Sequence, residues 1–429
     1  MHTVRLALYA ALIGSFVFLF AACDDDPSGL GVGVGPDDDQ LEGGEPVALD
    51  VLPSALSIER RAPLTGGTLQ EGGVDRFFAG RVSDPLVGDT QAESFFNVLQ
   101  PANVSSAFVD GPISEVSLVV EPTSIYGDTT ETLTLALYDV SESWSPLEAR
   151  SDTTFAFGDL VTTVSFSPTD DEVVIELPEE WVQENDSILR DTTDAGDAFA
   201  EAFHGFRLAH ESGNAAVGFE RSATELQALV GADTTQFMGQ ANFTNVSREG
   251  TPDLPDDRVL VQDGYGDILS FSYDFDDTDG LRTWPEGEAG LLRESPVNQA
   301  AFIAPLDTTI VYENTPTNFV RPEPSSYSLR GDLTDGGEGV LSSNVTPADE
   351  EVRFSVPGAG ADFSFAQLFQ ESFQGNPPYQ QFLVTPEAFV GGEDVTFDLG
   401  AAVFKVAPDD LDEERVREST RTTLTVTPF

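Results

Sequence analysis

A single cysteine, Cys23, limits the ways in which this chain can be held together. No intrachain disulfide is open to it, so the fold has to rest on an apolar core and on backbone hydrogen bonds. The composition can supply such a core: 40% of the 429 residues are hydrophobic and 31 are Phe. That length leaves room for two or three domains. The apolar content also separates the chain from disordered acidic proteins, despite 75 Asp and Glu against 20 Lys and Arg.

The formal net charge is −55, and Lys405 is the one lysine among the basic residues. Abundant carboxylates with almost no Lys form the surface expected of a protein working in concentrated salt. There, self-repulsion is screened over about 3 Å at 1 M, and carboxylates stay hydrated where Lys stems would add apolar surface. The expectation is a halophilic protein. The same charge excludes nucleic acid as a partner, which needs a basic footprint, and argues against anionic lipid at the folded surface.

Cys23 ends an apolar run over residues 6–22. Arg5 gives a positive n-region, the run has the length of an h-region, and Ala21 and Ala22 precede the cysteine, as in a secretory signal. The context Leu19-Phe20-Ala21-Ala22-Cys23 resembles a bacterial lipobox, with Phe20 where Leu is usual. This makes Cys23 the expected lipidation site and new N-terminus, residues 1–22 a signal peptide, and the membrane a partner through the anchor. Residues 23–46 read as the lipidated Cys and a flexible acidic linker. The alternating glycines from Gly29 to Gly35 open no helix and precede no Lys, so they are tether, not a phosphate loop.

From about Val47 the text is mostly β. Residues 116–121, 133–140, 173–177, 206–209, 215–220, 268–273, 352–356, 382–385, 395–406 in two pieces and 422–427 alternate or run apolar between turn-rich segments. Helical periodicity is confined to residues 363–373, with Phe365, Leu368, Phe369 and Phe373 on one face, and to a short acidic stretch at 409–417.

One pattern recurs. Glu172-Val173-Val174-Ile175-Glu176-Leu177-Pro178 matches Glu351-Val352-Arg353-Phe354-Ser355-Val356-Pro357. Each copy is followed by Phe-x-Glu-x-Phe-x-Gly, with Phe199, Phe203 and Gly205 in one and Phe369, Phe373 and Gly375 in the other. The expected unit is a short helix whose two Phe plug one end of a sandwich, with Gly turning the chain into the next strand. The fold class is therefore mostly β: two related antiparallel β-sandwiches, jelly-roll-like, with one or two short helices. The expected regions are 47–250 and 251–429.

The order of segments resembles a family of Bacteroidota surface lipoproteins known as a domain of unknown function. Cys23 with its acidic tract and Gly29-Leu30-Gly31 carries part of the likeness, as does Gly80-Arg81-Val82-Ser83-Asp84-Pro85-Leu86-Val87-Gly88 with Thr90 and Ala92. Ser114-Glu115-Val116-Ser117-Leu118 running into Tyr126-Gly127-Asp128, and the strand from Leu133 to Tyr138, complete it. The resemblance implies an exported, mostly β lipoprotein with no established activity, and carries over no catalytic residue. A looser likeness of 133–144 and 205–220 to sandwich modules of secreted polysaccharide-binding proteins raises glycan binding by analogy of fold.

Sites are few. No G-x-S-x-G, H-E-x-x-H or Walker pattern occurs, and His204 and His210 read as rim residues of a strand. Close carboxylate pairs carry no weight among so many acids. The best cation candidate is Asp274, Asp276 and Asp279 before Gly280, oxygen ligands on a turn that would suit Ca²⁺. Its spacing is one residue off D-x-D-x-D-G, and a plain acidic loop is the simpler reading. Among Trp144, Trp181 and Trp284, Trp284 lies in polar text between Arg282 and Pro285 and is the candidate platform for a sugar ring.

The expectation is a lipid-anchored envelope protein with a structural or adhesive role, no catalytic residues and no cofactor beyond that Ca²⁺ candidate. Its partners would be polysaccharide or other surface proteins. A carbohydrate-binding module is the first alternative and a secreted glycan hydrolase the second. Asp24-Asp25-Asp26 fits export to the outer membrane and cell surface in Bacteroidota; the alternative is the periplasmic face.

Overall fold

Phe271 lies flat on Phe302 with ring centroids 4.2 Å apart, and the two rings belong to different sheets. In the computed structural model, which describes residues 45–193, 197–250, 253–277, 280–334, 336–355, 365–386, 398–407 and 412–428, this stack marks the centre of one β-sandwich. Its first sheet runs Thr283–Trp284, Val47–Val51, Arg421–Val426, Val297–Pro305, Glu351–Phe354. Its second runs Ala55–Arg60, Asp267–Ser272, Tyr379–Thr385, Tyr327–Leu333, Glu338–Val345. All these pairings are antiparallel. Period-two alternation sets the faces: Leu49, Val51, Leu424 and Val426 point into the core while Asp50 and Thr423 bond each other outside it.

The other half is a larger, branched antiparallel sheet. Its main path runs Val173–Glu176, Glu115–Val120, Glu225–Val230, Asp233–Glu249, Gly88–Leu99, Arg76–Asp84, Ala215–Glu220, Pro122–Asp128, Phe319–Val320. Phe206–Ser212 branches from Gly88–Leu99 and pairs with Leu133–Val140, which pairs with Phe157–Phe166. The two wings enclose a second core, with Leu118 and Val120 from one and Leu135, Leu137, Phe206 and Leu208 from the other.

The mostly β, antiparallel architecture expected from the sequence is present, but the strands do not divide at residue 250. Val47–Val51 and Ala55–Arg60 belong to the sheets of the second half, and Phe319–Val320 extends the sheet of the first. The physical reason is pairing: Val47–Val51 fills the place between Thr283–Trp284 and Arg421–Val426, so the chain starts its body in the second sandwich and crosses at residues 61–65.

The repeat has a structural meaning. Val173–Glu176 and Glu351–Phe354 each end a sheet order. Each is followed by a helix, Asp197–Ala202 or Phe365–Phe373, and then by a strand with neighbours on both sides, Phe206–Ser212 or Tyr379–Thr385. Phe199, Phe203, Phe369 and Phe373 are all buried. Gly205 (φ 93°) and Gly375 (φ 86°) take the left-handed backbone that ends each helical turn. The first copy also carries the helix Glu179–Leu189, which buries Trp181, Val182 and Leu189.

Candidate functional site

The segment from Gly80 to Thr90 joins the two halves. Asp84 ends Arg76–Asp84, and its carboxylate receives the Leu86 and Val87 amides at 2.7 and 3.1 Å, folding the Asp-Pro turn. Gly88 (φ 101°) then leads the chain into Gly88–Leu99. The same carboxylate accepts Tyr126 Oη at 2.8 Å and two bonds from Arg321 of the other half, Nε to Oδ2 at 2.7 Å and Nη2 to Oδ1 at 2.6 Å. Arg321 spends its remaining donors on the Val311 and Asn314 carbonyls and on Thr315 Oγ1. Both charged side chains are almost wholly buried. Burial, then the neighbouring Asp84 charge, pushes the Tyr126 hydroxyl far above the ordinary tyrosine range, so it stays a donor.

Around this pair lie two apolar contacts between the halves. Phe78, Val82, Tyr126 and Ala216 meet Phe319 and Leu399; Leu86 and Val87 meet Leu260, Ala401 and Val403. Polar bonds extend the seam: Arg248 Nη1 reaches Asp267 Oδ2 at 2.5 Å, and Gln262 Nε2 reaches Thr90 Oγ1 at 3.2 Å. Burial pushes the Asp267 carboxyl above its ordinary range against the pull of Arg248. Thus Asp84, Val87 and Thr90, which the sequence presents as a motif, fasten one sandwich to the other.

A cleft of about 310 Å³ opens where the chain crosses between the halves. Arg61, Pro63, Leu64 and Arg150 line one part of it, and Asp267 and Arg330 another. Arg61 is held by Asp332, Glu338 and Glu59, and Arg330 by Glu338. Next to it, the guanidinium groups of Arg60 and Arg248 lie over the Tyr265 ring, 4.1 and 4.3 Å from its centroid.

The residues singled out in the sequence are scattered. Asp274 Oδ1 receives the Asp277 amide, Asp277 Oδ1 receives the Gly280 amide, and the Asp276 carbonyl accepts Arg293. These carboxylates hold turns; among the described residues no three acidic or His groups are placed to hold a metal, and Asp279 lies outside the described residues. Trp284 is half-buried on the short strand beside Asp50 and does not line the cleft. Trp144, half-buried, packs on Phe155 and Phe243, and Trp181 is buried in the core on Phe203 and Phe206. His204 accepts Trp144 Nε1 on its carbonyl, and His210 Nε2 meets the Gly213 carbonyl. Cys23 and the linker as far as residue 44 lie outside the described residues.

Arg321, Tyr126 and Arg150 carry the geometry and were not singled out for it from sequence. Asp84-Pro85 signals a turn, but nothing local marks a guanidinium 237 positions away as its partner.

No protein-family model matches the chain, and no curated protein matches it in sequence. Among solved structures, a chain of the Macrobrachium rosenbergii nodavirus is similar at 8% identity over 86% of this chain and 97% of its own. The TM-score is 0.11, and so low an overlap carries no argument.

Proposed function

We propose that this is a lipid-anchored envelope protein of a halophile that displays a two-sandwich body at the outer membrane surface, with a binding or structural role and no catalysis. The observation that carries the reading is Cys23, placed after an apolar run and small residues and before an acidic, Gly-rich tether. The likeness to Bacteroidota surface lipoproteins supports the same destination. The body suits a tethered load: Val47–Val51, its first described strand, is hydrogen-bonded to neighbours on both sides.

Binding is favoured over hydrolysis by what the carboxylates at the cleft do. Asp267 is tied to Arg248, Glu338 to Arg61 and Arg330, and Asp263, the third acid of the lining, receives the Asp398 amide. A hydrolytic pair needs one carboxyl free to donate and one free to attack or activate water. Polysaccharide is the proposed partner class. Membrane fractionation with surface proteolysis of intact cells, together with retention on polysaccharides in high salt, tests the reading. A soluble, protease-protected protein that no polysaccharide retains contradicts it; turnover on a glycan panel would install the hydrolase instead.

A further inference from the structure

The cleft at the chain crossing is where a ligand would sit, and this inference rests on the proposed polysaccharide-binding role. We propose that the cleft takes an acidic sugar residue, one bearing a carboxylate or sulfate, and that Arg150 is the cation that contacts it.

The charge pattern points there. In a chain of net charge −55, a guanidinium normally meets a carboxylate, as Arg61, Arg248 and Arg330 do at this cleft. Arg150 differs. Its Nη1 donates to the Ala62 carbonyl at 2.8 Å, which aims the group, yet among the described residues it has no ion pair. Arg60, stacked on Tyr265 and donating Nε to the Tyr265 carbonyl, is likewise without an ion pair among the described residues. Of the acids lining the cleft, Asp267 and Glu338 are engaged by other arginines and Asp263 receives the Asp398 amide, which leaves Arg150 as the lining cation with no carboxylate partner among the described residues. A planar guanidinium with unspent N–H groups matches a carboxylate or sulfate in forked geometry.

The rest of the lining suits a sugar ring. Leu64 is 52% exposed and stands beside Pro63 and Pro386, an apolar shelf for C–H faces, with Thr385 in the same lining. About 310 Å³ holds a sugar unit or two, at the lower end of ligand-pocket sizes. The crossing of the chain between two bodies is also where ligand clefts commonly lie.

The test uses the mature chain at the lowest salt at which circular dichroism shows it folded. Polygalacturonate, dextran sulfate and neutral dextran are compared by affinity electrophoresis. The expected result is at least about tenfold tighter binding of one or both acidic polymers than of dextran. R150Q should remove about tenfold of that preference with the melting curve unchanged, while R150K, which keeps one donor for Ala62 but loses the fork, should recover only part. Should R150Q fail to fold, R150K and R60Q carry the comparison. The relative affinities of the two acidic polymers tell carboxylate from sulfate. Dextran bound as tightly as the acidic polymers, with Arg150 variants unchanged, overturns this inference and leaves the glycan-binding role standing. No binding to any polymer overturns both.

Discussion

Arg321 and Asp84 meet across 237 positions of sequence with two parallel hydrogen bonds of 2.7 and 2.6 Å, and neither side chain is more than 1% exposed. Every charged atom of the pair has partners, which is the condition under which a buried ion pair is tolerated. Removing one side leaves the other charge buried. We expect R321M to lower stability by about 3–5 kcal/mol, and R321K to recover little, because one ammonium cannot replace the fork or reach the Val311 and Asn314 carbonyls together. Denaturant unfolding in molar salt measures both. A loss under 1 kcal/mol for R321M would show that the seam holds without its ion pair.

The repeated helix gives a paired prediction. Phe199→Ala and Phe369→Ala should each cost about 3–5 kcal/mol, since both rings are buried in their own cores. The glycines should separate the copies. At Gly375 a Cβ would meet nothing within 4 Å, so Gly375→Ala carries only the left-handed backbone cost of about 1–2 kcal/mol. At Gly205 a Cβ would stand 2.1 Å from the Phe96 carbonyl oxygen, and Gly205→Ala should cost well beyond that. Equal effects at the two glycines would contradict the described packing.

Asp139 sets a pH dependence. Burial pushes its carboxyl above the ordinary range, Trp181 Nε1 pulls it back through bonds of 2.8 and 3.1 Å, and Glu184 and Asp159 push it up further. A folded pKa above the unfolded one favours the protonated native state. The contribution is fully present below about pH 4, the ordinary carboxyl range, and is lost as pH rises through the folded value. Asp139→Asn keeps an acceptor for Trp181 without the charge. It should be more stable than the parent at pH 7, with the difference closing in acid. Urea midpoints at the two pH values decide this; a variant less stable at pH 7 contradicts the sign.

How much of this could be read from the sequence depends on the range of the forces involved. Strands Leu133–Val140 and Ala215–Glu220 match the expected 133–140 and 215–220, because one buried face writes itself as alternation. The helix Phe365–Phe373 shows in its four Phe and Leu on one face, though residues 363–364 and Asp362 lie outside the described residues. Glu179–Leu189 was missed because Trp181, Val182 and Leu189 make too thin a stripe in acidic text. Asp233–Glu249 was missed because one long strand serves several partners and its burial shifts along its length. The seam pairs and the cleft join residues far apart in the chain, and no local pattern encodes such meetings.

Salt should act on the whole body. With a net charge of −55, self-repulsion destabilises the compact state unless it is screened. The thermal midpoint should rise steadily from 0.1 M to several molar KCl, and dilute buffer should unfold the chain reversibly. A midpoint independent of salt over that range would remove the halophilic reading.

Mass spectrometry of the N-terminal peptide from the membrane fraction reads the lipid anchor itself. The mature chain should begin at Cys23 and carry a diacylglyceryl thioether and an N-acyl group. Cys23→Ala should abolish that peptide and its lipid. A mature chain with an unmodified Cys23, or one cut elsewhere and recovered in the soluble fraction, would rule out lipid anchoring at Cys23.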